Sequence, residues 1–181
     1  MNTPLTTLLT PHKAPCVVTA GTFDGVHCGH RAVLAHAARE ARTRGVQLTA
    51  VTFSPRPDAV RQPPGLPDLC SLRERVARLK RAGAHDVVVV PFSRALMGMP
   101  AAEFVAHLTE DLDMQALCVG EDFALGRGRE GDLPALRALG VEVISVPLVH
   151  EAGRGEKISS SALRARLARA TSSRMAVVHA A

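Results

Sequence analysis

Tryptophan and tyrosine are absent from this 181-residue chain, and five phenylalanines bring its aromatic content to only 3%. Binders of single-stranded nucleic acid stack bases on such rings, so that class is disfavoured despite a formal charge of +5. Paired cysteine spacings are missing too. The four cysteines stand at 16, 28, 70 and 118, without a C-x-x-C among them. This distribution fits neither a disulfide framework nor a zinc ribbon and reads as reduced, mostly buried thiols. No apolar run approaches the roughly 20 residues that span a bilayer. Residues 1–13 lack the basic start and apolar stretch of a secretory signal. The expectation is a soluble, cytoplasmic protein with no nucleic-acid partner and no membrane partner.

What is present is a chain 46% hydrophobic and 22% charged, the balance of an ordinary globular domain. Its cations are mostly arginine, and with few rings to stack bases they point toward phosphorylated small molecules. β-Branched runs alternate with longer Ala/Leu/Arg stretches at helical spacing. Strands are expected over 16–21, 46–53, 86–91, 116–119 and 141–146, and helices over 31–44, 71–81, 100–111, 133–139 and 160–169. Ser71 with Glu74 reads as a capping box, and Gly45 as a C-cap. The proline-rich stretch 54–67 is expected to be irregular. The run Val87-Val88-Val89-Val90 suggests a strand covered on both faces. Strand–helix alternation predicts a Rossmann-like α/β fold: an open, parallel, five-stranded sheet with helices on both faces. The expected layout is an N-terminal extension over 1–15, one domain over 16–171 and a short tail over 172–181.

Open parallel sheets bind ligands at the carboxyl ends of their strands, which directs attention to three segments. The first is Gly21-Thr22-Phe23-Asp24-Gly25-Val26-His27-Cys28-Gly29-His30, between the first strand and the first helix. Its glycines allow close backbone approach, and the helix start beyond it favours anions. His27 and His30 can donate to phosphate oxygens that gain charge as a leaving group departs. A metal site is disfavoured, since no distant Cys or His cluster completes four ligands. The second is Lys157-Ile158-Ser159-Ser160-Ser161 with Arg164, an anion site of hydroxyls, amides and cations. The third runs from Gly120 through Asp122, Phe123, Leu125 and Arg129 to Gly131. Its acids suit ribose hydroxyls or a base amino group, and its Gly/Arg alternation reads as a mobile closing loop. Cys28, at a helix start between histidines, is a thiol whose alkylation is expected to crowd the phosphate site. The basic run Arg73, Arg75, Arg78, Lys80 and Arg81 reads as a solvated helix face, and Met97 and Met99 as packing residues.

Four stretches together resemble the HxGH nucleotidyltransferase superfamily, and more narrowly the FMN adenylyltransferase module of bacterial FAD synthetases. They are Gly21-x-Phe23-Asp24-Gly25-Val26-His27-x-Gly29-His30, Thr52-Phe53-Ser54-Pro55-Arg56-Pro57, Val119-Gly120-Glu121-Asp122-Phe123 and Lys157-Ile158-Ser159-Ser160-Ser161-x-x-Arg164. The stretch from Phe92 to Val105, with Leu96 and Glu103-Phe104-Val105, is similar to the same family. The resemblance implies ATP, carried with Mg2+, and FMN as substrates, FAD and pyrophosphate as products, and no protein-bound metal site. It implies catalytic roles for His27, His30, Lys157 and Arg164. Nucleotide contacts fall to Gly21, Thr22, Phe23, Asp24, Gly25, Gly29, Gly120, Asp122, Ser159, Ser160 and Ser161. A flavin pocket is implied at Phe53, Pro55, Arg56, Pro57, Phe123, Leu125 and Arg129.

Several positions depart from that family. Arg56 stands where a histidine is usual; it can pair with an FMN phosphate but cannot shuttle a proton. Leu125 replaces an aromatic, Ser161 a threonine and Thr22 an asparagine. A riboflavin kinase barrel usually follows this module; if the chain is complete as it stands, no riboflavin phosphorylation is expected of it. A sister nucleotidyltransferase acting on a pantetheine phosphate or nicotinamide mononucleotide is a second reading. A non-catalytic flavin- or nucleotide-binding paralogue is a third.

Overall fold

The computed structural model describes residues 14–62, 67–150, 158–167 and 169. Lys157, the extension up to residue 13 and the tail from 170 lie outside these residues. The chain begins with β1 (Cys16–Ala20), α1 (Cys28–Arg44), β2 (Gln47–Ser54), α2 (Pro57–Arg61) and α3 (Leu72–Arg81). It continues through β3 (Asp86–Pro91), α4 (Arg94–Met97), α5 (Ala101–Leu112) and β4 (Met114–Gly120). A small hairpin follows, β5 (Ala124–Leu125) and β6 (Gly131–Asp132), then α6 (Leu133–Ala138) and β7 (Val143–Val146). The last described helix, α7, covers 160–167.

The expected parallel sheet is present, in the order β3-β2-β1-β4-β7. Every pairing in it is parallel, with Cys16 beside Gln47, Thr49 beside Asp86 and Leu117 beside Val143. All five residues of β1 are buried, as a central strand covered on both faces requires. Alternation along the strands sorts the core into two layers. Val18, Ala20, Val51, Leu117 and Val119 pack against Phe104, Val105, Leu108 and Leu112 of α5 and Leu136 of α6. Val17, Leu48, Ala50, Ala116 and Cys118 pack against Leu34, Ala37, Ala38 and Ala41 of α1 and Leu79 of α3. Helices therefore cover both faces. Burial and nearby Glu40 push the Cys118 thiol up to about 12, so it stays protonated and inert.

Local chemistry sets the element ends. Ser71 Oγ accepts from the Glu74 amide at 3.2 Å to open α3, and Gly45 closes α1 in the left-handed region at φ 68°. Besides α4, which the periodicity does not announce, three segments differ from the sequence reading. Helix α1 starts at Cys28 rather than Arg31, so Gly29 and His30 sit in its first turn. The proline-rich stretch contains α2, because Pro57 occupies the first helical turn, where a missing amide hydrogen costs nothing. The Gly/Arg segment is a docked hairpin and not a free loop. Arg127 N donates to Met99 O at 2.9 Å, and Glu130 Oε1 accepts from Ala101 N at 2.9 Å. A Cβ on Gly126 would lie 2.7 Å from Ala101 N, so only glycine permits this approach.

Candidate active site

From β1 the sheet grows outward through β2 and β3, and the chain then returns to the other side of β1 for β4 and β7. The switch point lies between β1 and β4, where the loops leaving the two strands part and open a crevice. A cavity of about 830 Å3 occupies that crevice. Its wall brings together the three segments singled out from the sequence: Gly21 to His30, Gly120 to Arg129, and Ile158 to Ser160.

His27, in extended conformation at φ −67° and ψ 175°, is the N-cap residue of α1. Its ring stacks on that of His30, with centroids 3.7 Å apart and planes 22° from parallel. Phe23 meets His30 edge-on at 5.2 Å from below. A Cβ at Gly29 would sit 3.2 Å from the His27 ring and 3.7 Å from Ile158 O. Glycine thus lets the ring fold over the backbone and lets the approach to α7 pass close by. Burial, with the neighbouring His27 and Arg75, lowers the His30 pKa to about 3, so this imidazole is neutral at physiological pH. Its buried Nδ1 makes no hydrogen bond among the described residues. A neutral ring with uncommitted hydrogen-bonding capacity, facing a cavity at a helix start, is suited to an anionic ligand.

The serine run is only partly turned to the cavity. Ser159 and Ser160 line it, whereas Ser161 does not. Ser159 Oγ accepts from Ala162 N at 3.2 Å, and Ser160 Oγ donates to Asp24 O at 2.9 Å. Arg164 is placed differently from the outer-phosphate role implied by resemblance. It is 7% exposed, lies off the cavity wall, and donates to Asp24 Oδ2 at 2.7 Å and to Asp58 Oδ2 at 3.0 Å. Asp24 and Gly25 likewise lie behind the wall, while Gly21, Thr22, Phe23 and Gly29 form part of it. Cys28 is exposed and does not line the cavity.

The flavin-side residues divide as well. Phe53, Pro57, Phe123, Leu125 and Arg129 line the cavity, with Gly120 and Asp122 at the β4 end. Pro55 and Arg56 do not. Arg56 is 2% exposed, pairs with Asp58 at 2.8 Å and bonds Asp68, so its donors point away from the cavity into a carboxylate cluster. The apolar part of the wall comes from residues read only as packing, Met97 and Met99, with Phe92, Leu96 and Phe104 of the weakly similar stretch. Arg61 and Arg94, which the sequence reading passed over, also line it, and neither side chain is paired among the described residues. Only the α2–α4 juxtaposition reveals them. Arg75, read as solvated, is instead buried and donates to Phe53 O at 2.7 Å. The spacing of Leu72, Arg75 and Leu79 along one helical face carried that signal.

An open parallel sheet with a ligand-sized cavity at its switch point defines a Rossmann-like α/β protein. The chain belongs to the FAD synthetase family, which it matches over residues 9–162. It is 37% identical over 159 residues to a bifunctional riboflavin kinase/FMN adenylyltransferase of Escherichia coli K12, covering 84% of this chain and 50% of that protein. An FAD synthetase of Listeria monocytogenes is 32% identical over 165 residues, 87% of this chain and 66% of that one. The chain therefore spans about half the length of the first curated relatives it matches. Among solved structures, a Streptococcus pneumoniae protein described as a macrolide-efflux protein is similar at a TM-score of 0.74 and 28% identity, over 82% of this chain and 49% of that one. Among the described residues no helix is long and apolar enough to cross a membrane.

Proposed function

We propose that this chain transfers the adenylyl group of ATP to the phosphate of FMN, giving FAD and pyrophosphate. The observation that supports it most is the joining, in one cavity, of the His27–His30 pair with an apolar chamber formed by Phe53, Phe92, Phe104, Phe123 and Leu125. One end suits a triphosphate and the other a flat apolar ring system. A phosphate oxygen of FMN attacks the α-phosphorus in line. The bond from that phosphorus to the bridging oxygen breaks, and pyrophosphate leaves with the electron pair. The chain's task is positioning and electrostatic stabilisation. His27 and His30 donate to phosphate oxygens as charge develops. The start of α7, with Ser159 and Ser160, holds the outer phosphates. Asp122, between the two halves, takes a ribose or base donor. It is also the one carboxylate lining the cavity among the described residues, so Mg2+ enters chiefly on the triphosphate's own oxygens. Substrates of this kind place the reaction in the cytoplasm.

A second reading keeps the nucleotidyl transfer and changes the acceptor. It draws on the commitment of Arg56 to aspartates, the aliphatic Leu125 on the wall, and the cations Arg61 and Arg94. Incubation with FMN and Mg·ATP tests both readings at once, with FAD and pyrophosphate quantified together. Equal amounts of the two products are expected. Pyrophosphate release only with another phosphorylated acceptor, from a panel with labelled ATP, overturns the flavin reading. Binding of ATP and FMN without any pyrophosphate release overturns transfer itself.

A further inference from the structure

Helix α7 presents Ser159 and Ser160 to the cavity, yet it has almost nothing apolar to hold it in place. Of residues 160–167 only Arg164 is buried, while Leu163 is half-buried and Leu167 is 57% exposed. Its anchor is therefore a guanidinium. Arg164 reaches Asp24 on the loop after β1, Asp58 on α2 and, at 3.1 Å, its own Ser161. Asp58 Oδ2 is shared, since Arg56 Nη1 donates to it at 2.8 Å. Arg56 Nε bonds Asp68 and stands 3.9 Å from Asp24 Oδ2, and Arg75 Nη2 completes the chain at 3.3 Å from Asp68 Oδ2. Leu69 N donates to Asp24 Oδ1 at 2.9 Å. Three arginines and three aspartates thus tie together the histidine loop, α2, the segment at 68–69, α3 and α7. Formal charge balances within the cluster, as burial of its guanidinium groups and of Asp24 requires.

We infer that Asp58 and Arg56 are positioning residues for the nucleotide edge of the cavity: they hold Arg164, and with it Ser159 and Ser160, against the loop that carries His27 and His30. The inference rests on the proposed nucleotidyl transfer for its consequence, but its geometry does not involve the acceptor. Asp58 is the informative member. Its side chain is 38% exposed, so the fold does not depend on it for core packing, yet two guanidinium groups share its Oδ2. Without that negative charge, the Arg164 and Arg56 guanidinium groups meet across a neutral acceptor and repel each other. The start of α7 then loosens and the two serines no longer face a triphosphate in register.

The test uses the full chain with Asp58→Asn and Asp58→Glu, a non-hydrolysable ATP analogue with Mg2+, and amide hydrogen exchange. Asp58→Asn is expected to weaken analogue binding about tenfold, the order of loss that a small displacement of positioning groups produces. Exchange should quicken across 160–167 while amides of β1 and β4 keep the parent rates. Asp58→Glu, which keeps the charge, is expected to recover most of both. Parent-like affinity and exchange in Asp58→Asn overturn the assignment, as does faster exchange spread evenly over the sheet, or a glutamate no better than asparagine. If the parent chain itself fails to bind the analogue, the proposed function falls, and the exchange pattern alone then decides the anchor.

Discussion

The loop that follows β1 has two faces of opposite character. Toward the cavity it presents His27 and His30, stacked, half-buried and adjoining a space of about 830 Å3. Behind, Asp24 is fully buried and its carboxylate is saturated by Arg164, the Leu69 amide and, more distantly, Arg56. One face leaves His30 Nδ1 without a hydrogen bond among the described residues; the other closes every carboxylate with a guanidinium. Buried polar groups are ordinarily satisfied within the protein, which supports the proposed binding role of the first face and a scaffold role for the second. The same division sorts the arginines. Arg56, Arg75 and Arg164 are buried and bound to carboxylates, whereas Arg61 and Arg94 line the cavity without a side-chain partner among the described residues.

Substitutions on the two faces should fail in different ways. The largest effect is expected behind the loop. Asp24→Ala strands buried guanidinium groups and should lower stability by about 3–5 kcal/mol, read by chemical denaturation. A shift below 1 kcal/mol there would erase the contrast. On the cavity face, His30→Ala should reduce kcat by roughly 100- to 1,000-fold with stability little changed, the usual loss for one donor aimed at developing charge. Unchanged turnover removes the histidine from the mechanism. Arg61→Ala and Arg94→Ala are expected to raise the acceptor's KM by up to roughly fivefold each, given their exposure, with kcat and stability unaltered. An effect confined to the KM for ATP would move these cations to the nucleotide end.

The smallest effect concerns acid stability. His30 has a folded pKa of about 3, below its usual value, because its charged form is buried beside other cations. The unfolded chain therefore takes up this proton first as pH falls. The ring's contribution to stability is complete above about pH 6.5 and is lost progressively toward pH 3. His30→Gln should shift the acid-unfolding midpoint to lower pH, followed by circular dichroism. A midpoint that moves the other way would mean the ring is paired or charged in the folded protein.

Periodicity made the sheet legible, because burial on both faces forces continuous apolar runs such as Val87 to Val90 and helix spacing exposes the Leu34, Ala37, Ala38, Ala41 stripe. The three strand-end segments were legible too, since the rule that ligands gather at strand carboxyl ends needs only the strand positions. Helix α2 was not, because proline reads as a breaker unless its place in the first turn is known. The pairing of Arg56 and Arg164 was hidden for a related reason: an arginine at a phosphate-binding motif looks free until its carboxylates are found. Those partners lie 2 and 12 residues from Arg56, and 106 and 140 from Arg164. Spacing along a chain carries no record of pairing over such separations.

By itself the sequence determined the fold class and the side of the sheet where the cavity opens, because both follow from local periodicity and chain order. It also determined which segments meet there. Which side chains of those segments face the cavity was decided only in three dimensions. Direction depends on what packs behind: Phe23 props His30 forward, while Asp24 draws Arg164 away from the cavity. A motif names the residues that can hold a phosphate. Burial and charge compensation decide which of them are left free to do so.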